Sequence, residues 1–143
     1  MPLQPPTGQF SIPVQITHAQ NFDPFPSPDG KKLVFISMLS GKEQLFTMDV
    51  DGSNILQLTR DDADHEDPAW SPDGRKIAFA SNRRGHGYQI FVMDADGANP
   101  RLVANTEGRG TALRWSPDGK TIYFTNCLAK DYGADCEILA ARL

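Results

Sequence analysis

The densest group of polar side chains in the sequence runs from residue 61 to residue 67, as Asp-Asp-Ala-Asp-His-Glu-Asp. Carboxylate oxygens bind Ca²⁺ or Mg²⁺, and an added imidazole shifts the preference toward Mn²⁺ or Zn²⁺. We therefore take His65, Glu66 and Asp67 as candidate ligands of a divalent cation. A solvated acidic loop has the same composition, so the sequence leaves both interpretations open.

Motifs of known catalytic chemistry are missing from this sequence. It has no Gly-x-Ser-x-Gly elbow, no glycine-rich phosphate loop before a helix, and no His-Glu-x-x-His or paired Cys-x-x-Cys zinc pattern. A metal-dependent enzyme built around His65 would need further imidazoles, and the chain offers only His18 and His86. We assign no catalytic residue and no cofactor beyond the candidate cation, and the absence of enzymatic activity is favoured.

The charge and hydropathy of the chain exclude some partners. Lys and Arg number 14 against 18 Asp and Glu, so the formal net charge is −4 and no basic stripe could neutralise phosphates. No stretch approaches the roughly 20 apolar residues of a membrane span, and the first residues do not resemble a signal peptide. We expect no nucleic-acid partner, no membrane span and a cytoplasmic location for the chain as given. A piece cut from an exported protein would be periplasmic or extracellular.

A four-residue turn recurs three times along the chain, about 45 residues apart, which is the period of a four-stranded blade. Proline presets φ, aspartate bonds the local backbone and glycine accepts a positive φ, so we interpret the motif as architecture and not as a nucleophile. The turn residues are Ser27, Pro28, Asp29 and Gly30, then Ser71, Pro72, Asp73 and Gly74, then Ser116, Pro117, Asp118 and Gly119.

Each turn is followed by short segments that predict strands and not helices. The first segment is an apolar run such as Ile77-Ala-Phe-Ala80, and the second is typified by Gln89-Ile-Phe-Val-Met-Asp94. An Asp-Gly pair then signals a hairpin, and a last strand such as Arg101-Leu-Val-Ala104 completes the unit. Four strands therefore account for each period.

The third unit lacks its last strand. Glu137 to Leu143 aligns with the third strand of the other units, and no Asp-Gly hairpin follows. At the other end of the chain, Val14-Gln-Ile-Thr17 resembles Leu56-Gln-Leu-Thr59, the last strand of the first unit. We predict an N-terminal extension over residues 1–13 and three blades' worth of strands over residues 14–143.

These units resemble the TolB-type, WD-like β-propeller repeat, whose signature is Trp-Ser-Pro-Asp-Gly, an apolar strand and a strand ending Met-Asp-x-Asp-Gly. The resemblance implies an all-β fold of four-stranded blades and, in the family, six-bladed rings closed by strands from both chain ends. It also implies a non-catalytic scaffold that presents a face or channel to a protein or peptide, sometimes as a module of a peptidase. Some enzymes of the wider superfamily place channel histidines on a metal for sugar-acid elimination.

Three blades cannot close a ring, since propellers contain from about four to eight. Two chains related by a two-fold axis would supply six blades, with residues 14–17 of each chain completing the third blade of the other. We therefore predict a homodimer with strand exchange, favoured by the matching register of the two ends. The alternative is that the chain is a fragment of a longer TolB-like or peptidase-associated propeller.

Two further residue pairs have structural predictions. Trp70 and Trp115 precede their turns, and we expect them to pack between blades. Cys127 and Cys136 flank the hairpin of the third unit and are the only cysteines. A cross-strand disulfide in an oxidising compartment and two reduced thiols in the cytosol both fit this placement.

Overall fold

The computed structural model describes residues 15–85, 87–128 and 135–143, which form three antiparallel sheets and no helix. The first sheet contains β1 (Asn21–Pro26), β2 (Lys32–Ser37), β3 (Gln44–Asp49) and β4 (Leu56–Gln57). The second contains β5 (His65–Trp70), β6 (Lys76–Ser81), β7 (Gln89–Asp94) and β8 (Arg101–Ala104). The third contains β9 (Arg109–Trp115), β10 (Thr121–Cys127) and β11 (Cys136–Arg142). We call these sheets blades one, two and three.

Neighbouring strands in each blade follow one another along the chain, so every blade is a meander whose first strand is at one edge. The first strands, β1, β5 and β9, lie side by side. This arrangement confirms the all-β propeller architecture predicted from the repeats. The described residues include no helix of the length and hydropathy needed to cross a membrane.

The Ser-Pro-Asp-Gly turns join the first and second strands of all three blades. In blade two, the Ser71 hydroxyl donates to Asp73 Oδ1 at 2.6 Å and accepts the Lys76 N–H at 2.9 Å. Gly74 has a φ of 72°, which a residue with a side chain rarely adopts. The same bonds recur in blades one and three, so each motif residue acts in the backbone turn.

Two hydrophobic clusters join the blades. The cluster between blades one and two contains Val34, Ile36, Leu45, Leu58, Trp70, Ile77, Phe79, Phe91 and Met93. The cluster between blades two and three contains Ala69, Ala78, Ala80, Ile90, Val92, Leu113, Ile122, Phe124 and Ala141. Trp70 belongs to the first, and Trp115 packs against the second while its indole donates to the Ala69 carbonyl at 3.0 Å. Both tryptophans therefore lie between blades.

Residues 15–17 form no strand within the single chain, and Val14 and the predicted extension 1–13 lie outside the described residues. The predicted pairing of residues 14–17 with a second copy stays a prediction. Residues 15–17 nevertheless lie against blade one where the last strand of a preceding blade would lie. A Cβ on Gly52 would lie 2.7 Å from the Ile16 carbonyl oxygen, and a Cβ on Gly97 would lie 2.8 Å from that of Leu58. Ile16 thus packs on blade one as Leu58 packs on blade two. A strand needs a hydrogen-bonded neighbour, and the described part of the chain places none beside residues 15–17.

Candidate functional site

The first candidate site lies at the start of β5, where the predicted metal ligands are. His65 is fully buried, and its Nε2 lies 2.8 Å from Asp61 Oδ1. The ring meets Phe79 edge-on, with 5.5 Å between centroids. Burial lowers the pKa of His65, and the Asp61 carboxylate opposes that shift. The imidazole is therefore part of the packing inside blade two.

Glu66 lies beside blade three instead. Its carboxylate accepts from Arg109, with 3.1 Å between Nε and Oε2 and further contacts from Nη2 to both oxygens. The Arg109 guanidinium also lies 5.2 Å from the centroid of the Tyr88 ring. Glu66 thus links β5 and β9 by an ion pair. We call β1, β5 and β9, the first strands of the three blades, the inner strands.

Asp67 has a third environment. It occupies a β-bulge with a φ of 50°, and the equivalent bulges hold Asp23 at 49° and Ala112 at 56°. Asp67 Oδ2 accepts the Ala112 N–H at 3.0 Å. The bulges direct side chains along the row of inner strands, where one blade can bond the next.

The three predicted ligands consequently have three separate sets of partners. Within residues 15–85, 87–128 and 135–143, no group of three or more His, Cys, Asp or Glu side chains is placed to hold a metal ion. The assignment of a cation to His65, Glu66 and Asp67 stays a prediction. Of the other histidines, His18 bonds Gln15 at 3.1 Å, and His86 lies outside the described residues.

A cavity of about 360 Å³ opens beside these inner strands, and we call it the channel cavity. Its lining residues are Phe22, Asp23, Ile36, Glu43, Glu66, Asp67, Arg109 and Thr111. Burial raises the pKa of Asp23, and the Asp67 and Glu66 carboxylates raise it further. Burial likewise raises the pKa of Glu43, with added repulsion from Glu66 and Asp64. Carboxylates therefore crowd one another in the cavity.

Tyr88 lies at the same end of the blades. Burial, followed by the nearby carboxylates, raises its pKa to about 12, so the phenol stays protonated at neutral pH. Motif reasoning from the sequence did not find Glu43 or Arg109. The signal was their shared position just before or at a strand start, which brings polar side chains from several blades to one end of the sheets.

The second candidate site is the outer side of blade three. β11 is bonded to β10, and its other edge has no strand beside it in the described part of the chain. Ile138 is 82% exposed and Tyr123 is 47% exposed. We call the surface formed by Tyr123, Thr125, Ile138 and Ala140 the open face, and the unpaired side of β11 the open edge.

The open face contrasts with equivalent positions in the other blades. Ile138 pairs with Thr125 on β10, as Ile90 pairs with Ala80 in blade two and Leu45 with Ile36 in blade one. Ile90 and Leu45 are both 0% exposed. The ladder register therefore identifies Ile138 as a core residue of this fold that no blade covers.

Cys127 and Cys136 are joined by a disulfide in the structure. They are also direct ladder partners, the last residue of β10 opposite the first residue of β11. The bond therefore closes the hairpin just before the open edge begins. Cys136 is an exposed residue.

Comparisons with known proteins agree with this architecture. The model of the TolB β-propeller domain (PD40) matches residues 7–138. A putative TolB from Agrobacterium tumefaciens superposes with a TM-score of 0.80 at 24% identity, covering 90% of this chain and 48% of that one. TolB from Acinetobacter baumannii gives 0.66 at 24% identity, covering 84% and 29%.

An oligogalacturonate lyase in complex with manganese is also similar, with a TM-score of 0.60 at 19% identity and coverage of 83% and 38%. No curated protein matches the chain. The chain spans less than half of the length of these three solved structures. The match of the family model over most of the sequence and the three blades in the structure show that this chain belongs to the TolB β-propeller family.

Proposed function

We propose that this chain is a non-catalytic scaffold whose blades assemble with a second copy into a six-bladed ring. The observation that carries the proposal is the open face of blade three, where Ile138 is 82% exposed although its equivalents are fully buried. Exposed apolar surface of this kind is typical of an interaction site. A two-fold axis would bring the open face of each copy to blade one of the other.

The strand that would fill the open edge follows from the pairing in blade one. There, Phe46 pairs with Gln57, and the Leu58 N–H donates to the Leu45 carbonyl at 2.7 Å. Ile16 takes the place of Leu58 on the neighbouring blade. By this equivalence, Ile16 of the second copy donates to the Ile138 carbonyl.

Side-chain packing at the new junction follows the same equivalence. At the junction of blades one and two, Phe79, Phe91 and Met93 of blade two belong to the shared cluster. Their blade-one equivalents form a cluster of Phe35, Phe46 and Met48 with Leu33 against it. Among the described residues, that cluster contains blade-one side chains alone. Phe35, Phe46 and Met48 are already buried in the single chain, at 4%, 6% and 2% exposed, and we place the face of blade one to which they belong opposite the open face of the second copy.

Burial of apolar side chains at this junction is expected to stabilise the assembled ring. Covering a large apolar side chain contributes about 1.5–3 kcal/mol, and both Tyr123 and Ile138 are available for it. The two-fold axis makes two such junctions for each ring, so their contributions add. The pairing of backbone groups along the open edge adds direction and register.

The mass of the particle in solution tests this proposal. Light scattering after gel filtration at micromolar concentration is expected to give about twice the chain mass of 15.8 kDa. Ile138→Asp is expected to return the particle to the single-chain mass. Leu128→Asp is the control, since Leu128 is 50% exposed just after β10 and belongs neither to the open face nor to blade one. A single-chain mass for the unmodified chain contradicts the proposal.

A second candidate is a half-propeller within a longer polypeptide. It is favoured by the coverage of 48% of the similar Agrobacterium tumefaciens protein, since further blades of one chain could cover the same open face. The same light-scattering measurement separates the two candidates. The longer propeller is supported if the chain alone has the single-chain mass. It is also required that the mass doubles only when a second polypeptide that contains further blades is added.

The scaffold also offers the channel cavity to a protein or peptide. Four of its lining residues are carboxylates, and the pKa values of Asp23 and Glu43 are raised first by burial and then by repulsion from neighbouring carboxylates. A cationic segment would relieve that repulsion. Fluorescence anisotropy is expected to detect binding of a lysine-rich decapeptide to the chain and weaker binding of it to the Glu43→Gln variant. A glutamate-rich decapeptide is expected not to bind. Equal binding of both peptides contradicts this preference.

A further inference from the structure

We propose that the Cys127–Cys136 disulfide is a redox latch that holds the open edge of β11 ready to accept a strand. The inference deepens the proposed function and depends on it for the identity of the accepted strand. In the oxidised chain β11 is held at its first residue, and in the reduced chain that end is released. Oxidation therefore promotes assembly.

The first observation in favour of the latch is the position of the disulfide. Cys136 is the first residue of β11, and the strand-accepting residues begin two positions later at Ile138. The equivalence with Ile90, Phe91 and Val92, which pair with β8, assigns this role to Ile138, Leu139 and Ala140. The covalent bond thus lies next to the residues that must be extended and in register.

The second observation in favour of the latch is that few contacts hold the start of β11. β3 and β7 each have a strand on both sides, whereas β11 has one neighbour in the described part of the chain. Residues 135–138 are all exposed, and beyond the disulfide the hairpin is closed by a 3.3 Å bond from the Leu128 N–H to the Asp135 carbonyl. A strand end held on one side and bare of packing frays readily.

The disulfide opposes that fraying. It closes a hairpin with a sequence separation of nine, and such a cross-link removes conformational freedom from the opened state. Without the bond, an incoming strand must order the start of β11 before it can pair. The apparent affinity for the incoming strand is then the intrinsic affinity multiplied by the fraction of chains in which the start of β11 is ordered.

The chemistry of the latch is thiol–disulfide exchange. A thiolate of one cysteine attacks a small-molecule disulfide such as oxidised glutathione, forming a mixed disulfide and releasing one thiol. The second thiolate then displaces the second thiol and forms the Cys127–Cys136 bond. The protons of the two cysteine thiols pass to the two released thiolates, so one reagent disulfide is reduced to two thiols. The chain has no other cysteine to compete in the exchange.

Sedimentation velocity over a dilution series tests the inference on the full chain. We compare the oxidised chain, the chain reduced with a phosphine, and the Cys127→Ser/Cys136→Ser double variant with and without the phosphine. The oxidised chain is expected to associate about tenfold more tightly than the reduced chain. The double variant is expected to match the reduced chain and not to respond to the reductant. Equal association of the oxidised and reduced chains overturns the inference.

Hydrogen exchange on dilute single chains keeps the latch and the self-assembly separable. Amides of β11 are expected to exchange about tenfold faster after reduction, with amides of β7 unchanged as the internal control. If neither redox state associates, the proposed self-assembly fails, and faster β11 exchange still supports the latch. Unchanged β11 exchange on reduction contradicts the latch whatever the particle mass.

Discussion

Blades two and three follow the same sequence pattern but differ in what covers them. Ile90 on β7 and Ile138 on β11 hold equivalent ladder positions, yet the first is 0% exposed and the second 82%. Blade two has a blade packed on either side, whereas blade three meets only blade two among the described residues. Burial in a propeller is thus a property of the neighbouring blade and not of the strand itself.

The largest expected effect is at a closed junction. Trp70 is 6% exposed within the cluster of blades one and two, so Trp70→Ala leaves a large cavity. We expect a loss of about 3–5 kcal/mol in the free energy of unfolding. Urea denaturation followed by circular dichroism measures it. A loss below about 1 kcal/mol would show that the junction is not the core of the fold.

The equivalent isoleucines give the next effect. Ile90→Ala is expected to cost about 2–5 kcal/mol because it removes fully buried atoms. Ile138→Ala in the single chain is expected to change stability by no more than about 0.5 kcal/mol, since the side chain is exposed there. Urea denaturation at concentrations where the chain is a monomer provides both values. Equal losses at the two sites would contradict the difference between the blades.

A smaller effect is expected at the start of β11. Gln44 is buried and its amide donates to the carbonyls of Asp61 and Ala63, at 3.1 and 2.8 Å, while the equivalent residue in blade three is Glu137. A carboxylate cannot make those bonds and is costly to bury. Glu137→Gln is expected to tighten assembly roughly threefold to tenfold, measured by sedimentation. Weaker assembly of this variant would count against the equivalence of the edges.

The smallest effect concerns Glu43 in the channel cavity, whose pKa is raised first by burial and then by the Glu66 and Asp64 carboxylates. The pKa of Glu43 is raised in the folded chain, so its ionisation destabilises the fold as pH rises from the unfolded-state pKa through the folded-state pKa. Glu43→Gln is expected to raise the melting temperature slightly at pH 7 and to leave it unchanged near pH 3. Calorimetry at both pH values measures the difference. A variant that is less stable at pH 7 would contradict the crowding.

Much of the fold was predictable because it is encoded locally and repeated. The predicted segments Gln89–Asp94 and Arg101–Ala104 coincide with β7 and β8, since a short apolar run and an Asp-Gly hairpin define them without reference to the rest of the chain. Residues 15–17 form no strand within one chain, and the strand predicted over 14–17 as part of a second copy's blade stays a prediction. A strand exists only where a neighbour offers hydrogen bonds, and that information is not local.

The candidate sites were less predictable for the same reason. Glu66 and Arg109 are far apart in sequence, and the stacking of β5 beside β9 brings them together. His65 follows an acidic run that suggested a metal ligand, but strand geometry turns its ring toward Phe79. The open face was hidden because its residues have the pattern of a buried strand. Only the count of blades indicated that something must cover it.

A direct contact between copies tests the central claim most closely. In an equimolar mixture of isotope-labelled and unlabelled chains, an isotope-filtered NOE experiment detects protons that are close across two molecules. Strand exchange between two copies predicts cross-chain NOEs between residues 15–17 and β11, including Ile16 with Ile138. Their absence from a sample of dimeric mass, or their appearance within a single chain, would contradict strand exchange between two half-propellers.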